Sequence, residues 1–290
     1  METAAPPYQN LTPDTLLAAV ESAGWQTDGR LLALNSYENR VYQVGIEGAA
    51  PLVVKFYRPA RWSDAAILEE HAFLQELHAA EIPVVAPLTD AEGNTLLHHA
   101  GFRFTVFPRQ GGRAPDLERE SHLEWLGRFL GRIHAVGSAA SFRHRGVIGP
   151  DSLGHAPRDW LLASGFLPPD LAPRYREVTQ LVLDGVARNY ARAGQLAKLR
   201  LHGDCHPGNV LWTDAGPHFV DFDDCAAGPA IQDLWMLLSG TRQDMQQQLG
   251  AVLDGYTQFM DFNPAELWLV EALRSLRLIH YAAWIARRWH

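Results

Sequence analysis

The chain has 290 residues, 47% of them hydrophobic and 20% charged, a globular composition long enough for two cores, since single cores stop growing near about 250–300 residues. A formal net charge of -8 argues against a nucleic-acid surface, which shows as a basic patch. Cys205 and Cys225 are the only cysteines, too few for a disulfide framework. The start of the chain, residues 1–6, lacks a basic, apolar signal peptide, and no apolar run reaches the ~18–20 residues of a membrane helix. A monomer of the reducing cytoplasm, with neither nucleic acid nor membrane as partner, is the expectation.

Thr12-Pro13-Asp14 ahead of Leu16, Leu17 and Val20 predicts a helix with Thr12 as N-cap and Pro13 at its first position. The β-rich runs 41–44 and 52–57, split by the turn-prone stretch 45–51, predict a hairpin. From Ser63 to about Ala80, Ile67, Leu74 and Leu77 share one helical face with Glu70, while Glu69 points elsewhere. Leu96-Leu97 and the run 102–107 predict two more strands, and 108–113 has the composition of a connector. The boundary falls there, with residues 1–108 as a small β-rich, nucleotide-binding N-lobe and 109–290 as a larger helical C-lobe, an α+β organisation. In the second part Leu123, Leu126, Leu130 and Ile133 form a helical stripe, with Gly127 and Gly131 one turn apart where another element can approach closely. A further helix runs roughly from Ala172 to Ala193, and the tail from Gln232 onward is helical and rich in Trp.

Chemistry concentrates in Leu201-His202-Gly203-Asp204-Cys205-His206-Pro207-Gly208-Asn209, followed by a turn at Asp214-Ala215-Gly216 and by Phe219-Val220-Asp221-Phe222-Asp223. Asp204 and Asn209 are spaced like the catalytic Asp and metal-binding Asn of a kinase catalytic loop, and Asp221 ends the second strand of a hairpin returning to that loop. Phosphoryl transfer needs such a set. Magnesium takes hard oxygen ligands, assigned to Asn209 and Asp221. A carboxylate free of metal orients the acceptor hydroxyl and takes its proton, which is the role of Asp204. A polar turn between strands would hold the same residue types. It leaves unexplained why Asp204, Asp221, Asp223 and Asp224 crowd an otherwise apolar region, and a cation explains it.

Lys55 shares a strand face with Val53 and Tyr57, and Glu70 sits mid-stripe on the next helix. If both faces are buried, a Lys55–Glu70 ion pair is required, aiming the ammonium at the α/β-phosphates of ATP; the plainer alternative is a solvated lysine at a strand edge. Neither a Gly-x-Gly-x-x-Gly nor a P-loop occurs. Asn35-Ser36-Tyr37-Glu38-Asn39-Arg40 stands where a phosphate-covering loop should lie, with Ser36, Asn39 and backbone amides as donors, or else is a surface turn. Adenine is expected against the backbone near Val106 to Arg109, at Phe107. His202-x-x-Cys205-His206 with Cys225 has zinc-type ligands but no common zinc spacing. His202 is read as bracing the loop, and Asp233 as a helix cap that also bonds loop amides behind the catalytic residues.

Together, Asn35-Ser36-Tyr37-Glu38-Asn39-Arg40-Val41-Tyr42, Val53-Val54-Lys55-Phe56-Tyr57-Arg58-Pro59, Ile67-Leu68-Glu69-Glu70-His71, Leu201-His202-Gly203-Asp204-Cys205-His206 and Gln232-Asp233-Leu234-Trp235-Met236-Leu237-Leu238 resemble the bacterial stress response kinase A family. These YihE-like Ser/Thr kinases belong to the aminoglycoside phosphotransferase and choline kinase branch of the kinase-like fold, and the likeness runs from about Leu11 to the last residue. The resemblance implies a two-lobed protein-kinase-like fold, Asp204 as base, Asn209 and Asp221 on magnesium, Ser36 at the ATP site, protein Ser/Thr hydroxyls as acceptors, and a role in cytoplasmic stress survival. His-Gly-Asp replaces His-Arg-Asp, Asp221-Phe222-Asp223 replaces Asp-Phe-Gly, and no Ala-Pro-Glu is present. With no Ser, Thr or Tyr from 214 to 238, activity should need no phosphorylation there. Family members usually continue for some tens of residues past Arg287-Arg288-Trp289-His290, so a truncated C-terminus is expected. Two rivals stand beside this reading. A small-molecule hydroxyl kinase shares the loop chemistry, and Trp268, Trp284 and Trp289 keep an aromatic cage for a cationic alcohol open. A nucleotide-binding pseudokinase scaffold is opposed by intact Lys55, Asp204, Asn209 and Asp221.

Overall fold

A computed structural model describes residues 7–289; the stretch 1–6 read above for a signal peptide, and His290 at the expected truncation point, lie outside the described residues. Helix α1 (Pro13–Ser22) begins where Thr12 Oγ1 accepts from the Thr15 amide and Pro13 supplies a ready-made first-turn φ. Strands β1 (Thr27–Leu34), β2 (Arg40–Ile46) and β3 (Leu52–Phe56) follow, then α2 (Asp64–Ala79), N-capped by Ser63. Strands β4 (Leu97–His99) and β5 (Phe102–Pro108) complete an antiparallel five-stranded sheet of order β1-β2-β3-β5-β4.

Strand β3 is central, and its alternation decides the chemistry. Val54 and Phe56 point into a core with Leu16 and Val20 of α1, Val44, Phe104 and Val106, where each fully buried side chain contributes roughly 1.5–3 kcal/mol. Tyr57 faces the other way, against Ile67 of α2, and Lys55 shares that face.

The helical part opens with α3 (Glu120–Ser138), a π-helix Pro150–His155, α4 (Ala156–Ala163), α5 (Ala172–Ala193) and the short strand β6 (Leu199–Leu201). The expected stripe Leu123, Leu126, Leu130 and Ile133 is buried. A Cβ on Gly127 or Gly131 would overlap the backbone carbonyls of Val252 and Tyr256, so glycine alone lets that second helix come so near.

Strands β7 (Val210–Thr213) and β8 (Gly216–Phe219) form the expected hairpin, paired from Val210↔Phe219 to Thr213↔Gly216. The strand stops at Phe219 and does not run on to Asp221. Asp221 takes a left-handed φ of 60° and leads into a 3-10 turn, Phe222–Asp224. Beyond it come β9 (Ala226–Gly228), paired with β6, then α6 (Ile231–Trp235), α7 (Arg242–Tyr256) and α8 (Val270–Ala286). Helices α5 and α8 bury Leu183, Val186, Leu276 and Ile279 together.

The chain divides into two units, one running up to Ala114 and including Val210–Asp223, the other comprising Pro115–Asn209 and the residues from Asp224 onward. The β7–β8 hairpin groups with the five-stranded sheet because backbone bridges Val84↔Phe219 and Arg113↔Trp212 hold it there. A division by sequence order places it with the helices instead. Among the described residues no helix is long and apolar enough to cross a membrane.

Candidate active site

In the sheet-bearing unit, Lys55 Nζ lies 2.9 Å from Glu70 Oε1, with the two side chains 7% and 0% exposed. The expected pair is present, and its burial follows from the strand and helix periodicities that suggested it. Nζ also lies 3.4 Å from Asp223 Oδ1 and over the rings of Tyr57 (4.8 Å) and Phe107 (5.6 Å). Burial alone pushes the ammonium toward neutrality; Glu70, then Tyr57, Asp223 and Asp221, outweigh it and hold the group well above the usual lysine value. Asp223 is buried and also bonded by Arg61. The cations that balance this acid are therefore side chains of the protein, which corrects the expectation that a bound cation explains Asp223. Asp221 is exposed, on its left-handed backbone.

Ser36 is partly exposed in the β1–β2 connection. Asn39 is buried, and its Oδ1 accepts from the Arg58 amide at 3.1 Å. Asn39 thus braces the loop, and only its Nδ2 is left as a side-chain donor. Phe107, on β5, pairs with Val53 of β3.

In the helical unit, the loop after β6 is held from behind. Asp233 is fully buried, and Oδ2 accepts from the His202 amide and Oδ1 from the Gly203 amide, both at 2.8 Å. It lies inside α6 and caps nothing there, since its carboxylate is taken by the loop. Behind it, His134 Nε2 meets Asp233 Oδ2 at 3.1 Å and Nδ1 meets Tyr256 Oη at 2.9 Å. Burial pushes the Tyr256 phenol above its usual range, and the Asp233 carboxylate, an acceptor only, takes the Nε2 proton of His134. Gln232 Nε2 adds a 2.9 Å bond to the Gly203 carbonyl. Gly203 has φ 85°, and a Cβ there would overlap the Asp224 carbonyl, so the turn accepts only glycine.

This frame presents Asp204 half-buried. Its amide donates to Nδ1 of the buried His202 at 3.3 Å, and its carbonyl accepts from Asn209 Nδ2 at 3.0 Å. The second bond turns the Asn209 carboxamide so that Oδ1 is the atom left to bind a cation. Asp204 Oδ1 lies 2.6 Å from an Arg277 guanidinium nitrogen, and Oδ2 lies 3.6 Å from His206 Nε2. Burial lowers the His206 pKa more than Asp204 raises it, with Arg277 and His202 also lowering it, so the imidazole is neutral at neutral pH. Burial, then Asp233 and Asp204, push the Cys205 thiol well up. A thiol so held is a poor zinc ligand, and among the described residues no three His, Cys, Asp or Glu side chains gather as a metal site.

Arg61, Arg277 and His134 have no local sequence signal. They lie 162, 73 and 99 residues from the groups they bond, and only tertiary packing reveals them.

A buried, carboxylate-held lysine on the central strand and a pinned His-Gly-Asp loop followed by Asn209 define a kinase-like phosphotransferase. The chain belongs to the phosphotransferase enzyme (APH) family, which it matches over residues 30–269. It is 44% identical over 289 residues to stress response kinase A of Escherichia coli (strain K12), covering 100% of this chain and 87% of that protein. It is 43% identical over 282 residues to the serine/threonine protein kinase RdoA of Salmonella typhimurium (strain LT2), covering 97% and 85%. Among solved structures, amicoumacin kinase hAmiN in complex with AMP-PNP, Ca2+ and Ami aligns with a TM-score of 0.77 at 19% identity, over 96% of this chain and 87% of that one. Choline kinase LicA from Streptococcus pneumoniae aligns with a TM-score of 0.67 at 15% identity, over 95% and 90%. At those identities the likeness speaks to fold.

Proposed function

We propose that this phosphotransferase is an ATP- and Mg2+-dependent Ser/Thr protein kinase of the bacterial stress response, working as a cytoplasmic monomer without nucleic-acid or membrane partners. The observation that carries the acceptor assignment is full-length identity of 44% to stress response kinase A, together with 43% to a relative named a serine/threonine protein kinase.

The donor atoms fit the nucleotide and its ion. Asn209 immediately precedes β7, and Asp221 follows β8 with one residue between. Each offers a hard oxygen. The left-handed backbone of Asp221 costs roughly 1–2 kcal/mol, strain of the kind kept at functional positions. When bound, the divalent ion neutralises phosphate charge.

The remaining work falls to side chains. Lys55, kept charged and aimed by Glu70, binds the α/β-phosphates. Ser36, Asn39 Nδ2 and the amides of the β1–β2 connection cover the phosphates, and the backbone around Phe107 receives the adenine. Asp204 orients the acceptor hydroxyl and takes its proton as the bond to phosphorus forms. His202 and Asp233 hold the loop that presents it.

The test is transfer from γ-labelled ATP with Mg2+ to protein acceptors, set beside choline, aminopropanol and sugars, with Asp204→Ala as control. Label on protein hydroxyls that falls by roughly 10²–10⁴-fold in the control is expected. Label confined to small alcohols would overturn the acceptor assignment, and nucleotide binding without transfer would point to a scaffold.

A further inference from the structure

Arg277 stands beside the proposed base with most of its binding capacity unspent. One terminal nitrogen bonds Asp204 Oδ1 at 2.6 Å and lies 4.0 Å from the Met236 sulfur. A guanidinium carries five N–H donors in a planar fork. Among the described residues Nε and the second terminal nitrogen meet no protein acceptor, and the side chain is 42% exposed. The surrounding charge is unusual for this chain. Within a net charge of -8, the stretch from Val270 to Arg288 holds Arg274, Arg277, Arg287 and Arg288 against the single acid Glu271. That acid is paired with Arg274 at 3.1 Å. One helical turn beyond Arg277, on the same face of α8, Tyr281 is 52% exposed and stacks on Trp284 with centroids 5.3 Å apart and planes at 15°.

A fixed cation touching the base has two consequences for the acceptor. Cationic alcohols are repelled from the site where their hydroxyl must sit, and an acceptor with a nearby anion gains a forked partner. We propose that Arg277 is a specificity-determining residue that receives a carboxylate adjacent to the acceptor hydroxyl. The preferred acceptor is then a Ser or Thr with Asp or Glu close by, its flanking side chain resting on the Tyr281–Trp284 pair. A hydroxyl within hydrogen-bond reach of Asp204 and a carboxylate on the open edge of the fork would be about 5–7 Å apart, one or two residues of extended chain at roughly 3.3 Å each. This inference rests on the protein-acceptor reading above.

A set of single-Ser peptides with Glu, Ala or Lys one or two residues from the Ser tests it, with kcat/KM measured for the wild type and for Arg277→Gln, Arg277→Lys and Arg277→Glu. The ratio of Glu-flanked to Lys-flanked peptide is read within each preparation, so partial misfolding of a variant cancels. The expected ratio is about tenfold or more for wild type, the range of one charge-assisted hydrogen bond. It should approach one in Arg277→Gln, survive in part in Arg277→Lys and invert in Arg277→Glu. Peptides labelled without regard to flanking charge, or an unchanged ratio in Arg277→Gln, would overturn the role of Arg277 and leave the protein-kinase reading standing. Label confined to choline or aminopropanol would overturn both, as would no transfer to any acceptor.

Discussion

Replacing Asp233 by Asn tests how the active loop is held, because the variant keeps the shape of the side chain and removes one acceptor. The fully buried carboxylate takes three donors: the amides of His202 and Gly203 at 2.8 Å each and His134 Nε2 at 3.1 Å. A carboxamide offers one oxygen and one NH2 group, so in either orientation one loop amide faces a donor. His134 can adapt by changing tautomer with Tyr256, but a backbone amide cannot. Losing one charge-assisted bond costs about 1.5–3 kcal/mol, and leaving a buried N–H unpaired costs about 1–3 kcal/mol more. The expected total is roughly 3–5 kcal/mol, a large share of the ~5–15 kcal/mol by which a domain is stable.

Urea unfolding followed by fluorescence should show the midpoint falling at unchanged slope. Because the lost amide belongs to the residues on either side of the His202–Gly203 peptide bond, Asp204 moves with it. Displacement of a reacting group by about 1 Å costs on the order of 10²-fold in rate, so kcat should fall while the KM for ATP changes little. A variant within about 0.5 kcal/mol of wild type, the usual tolerance of exposed sites, with kcat intact, would show that the loop is held by something other than Asp233.

Three further substitutions probe separate parts of the molecule. Lys55→Met removes the ammonium bonded to the fully buried Glu70 and should destabilise by about 3–5 kcal/mol, with the double change Lys55→Met/Glu70→Leu recovering most of that by chemical denaturation and both variants inactive. If the double variant is no more stable than the single, the pair is not the reason for the loss. Gly127→Ala should destabilise by roughly 1–3 kcal/mol through overlap with the Val252 carbonyl, although helix propensity alone favours Ala by about 1 kcal/mol; thermal melting reads the sign directly. Burial pushes the Glu266 carboxyl up even though the Ile231 amide, donating at 2.8 Å, pulls it down. A carboxyl whose folded pKa is raised destabilises the fold above its unfolded value of about 4.3, increasingly as pH climbs through the folded value. Glu266→Gln keeps an acceptor for Ile231, so it should be near neutral at about pH 4 and stabilising by about 1 kcal/mol at pH 7; stability curves that stay parallel across that range would contradict this.

The parts legible in the sequence are those whose partners are close along the chain or fixed by period. Thr12 and Pro13 capped their helix as the local pattern predicts, and the five-residue spacing of Asp204 and Asn209 sets a bond between them at 3.0 Å. Lys55 and Glu70 met because one strand period and one helix period both turned inward. Strand β1 escaped for a local reason, since its register against β2 shifts between Thr27 and Leu31 and the alternation is broken at Asp28-Gly29-Arg30. The backbone turn at Asp221, though not the residue itself, escaped for another, because a left-handed φ at a non-glycine residue is imposed by its surroundings and leaves no mark in composition.

Charge shows the limit most clearly. Asp204, Asp221, Asp223 and Asp224, four of the five acids between 204 and 224, do require compensation, and to that extent the inference from sequence is sound in sign. Burial then divides them: Asp223, 3% exposed, is answered by Lys55 and Arg61, while Asp221 remains exposed at the hairpin's end. Asp204 is answered by an arginine 73 residues away on α8. A tally of acids therefore fixes how much positive charge the region needs, but which of it arrives with the chain and which with the nucleotide depends on packing. That division is a matter of tertiary contact: Lys55 reaches Asp223 across 168 residues and Arg277 reaches Asp204 across 73, and neither contact is written in the local pattern of acids.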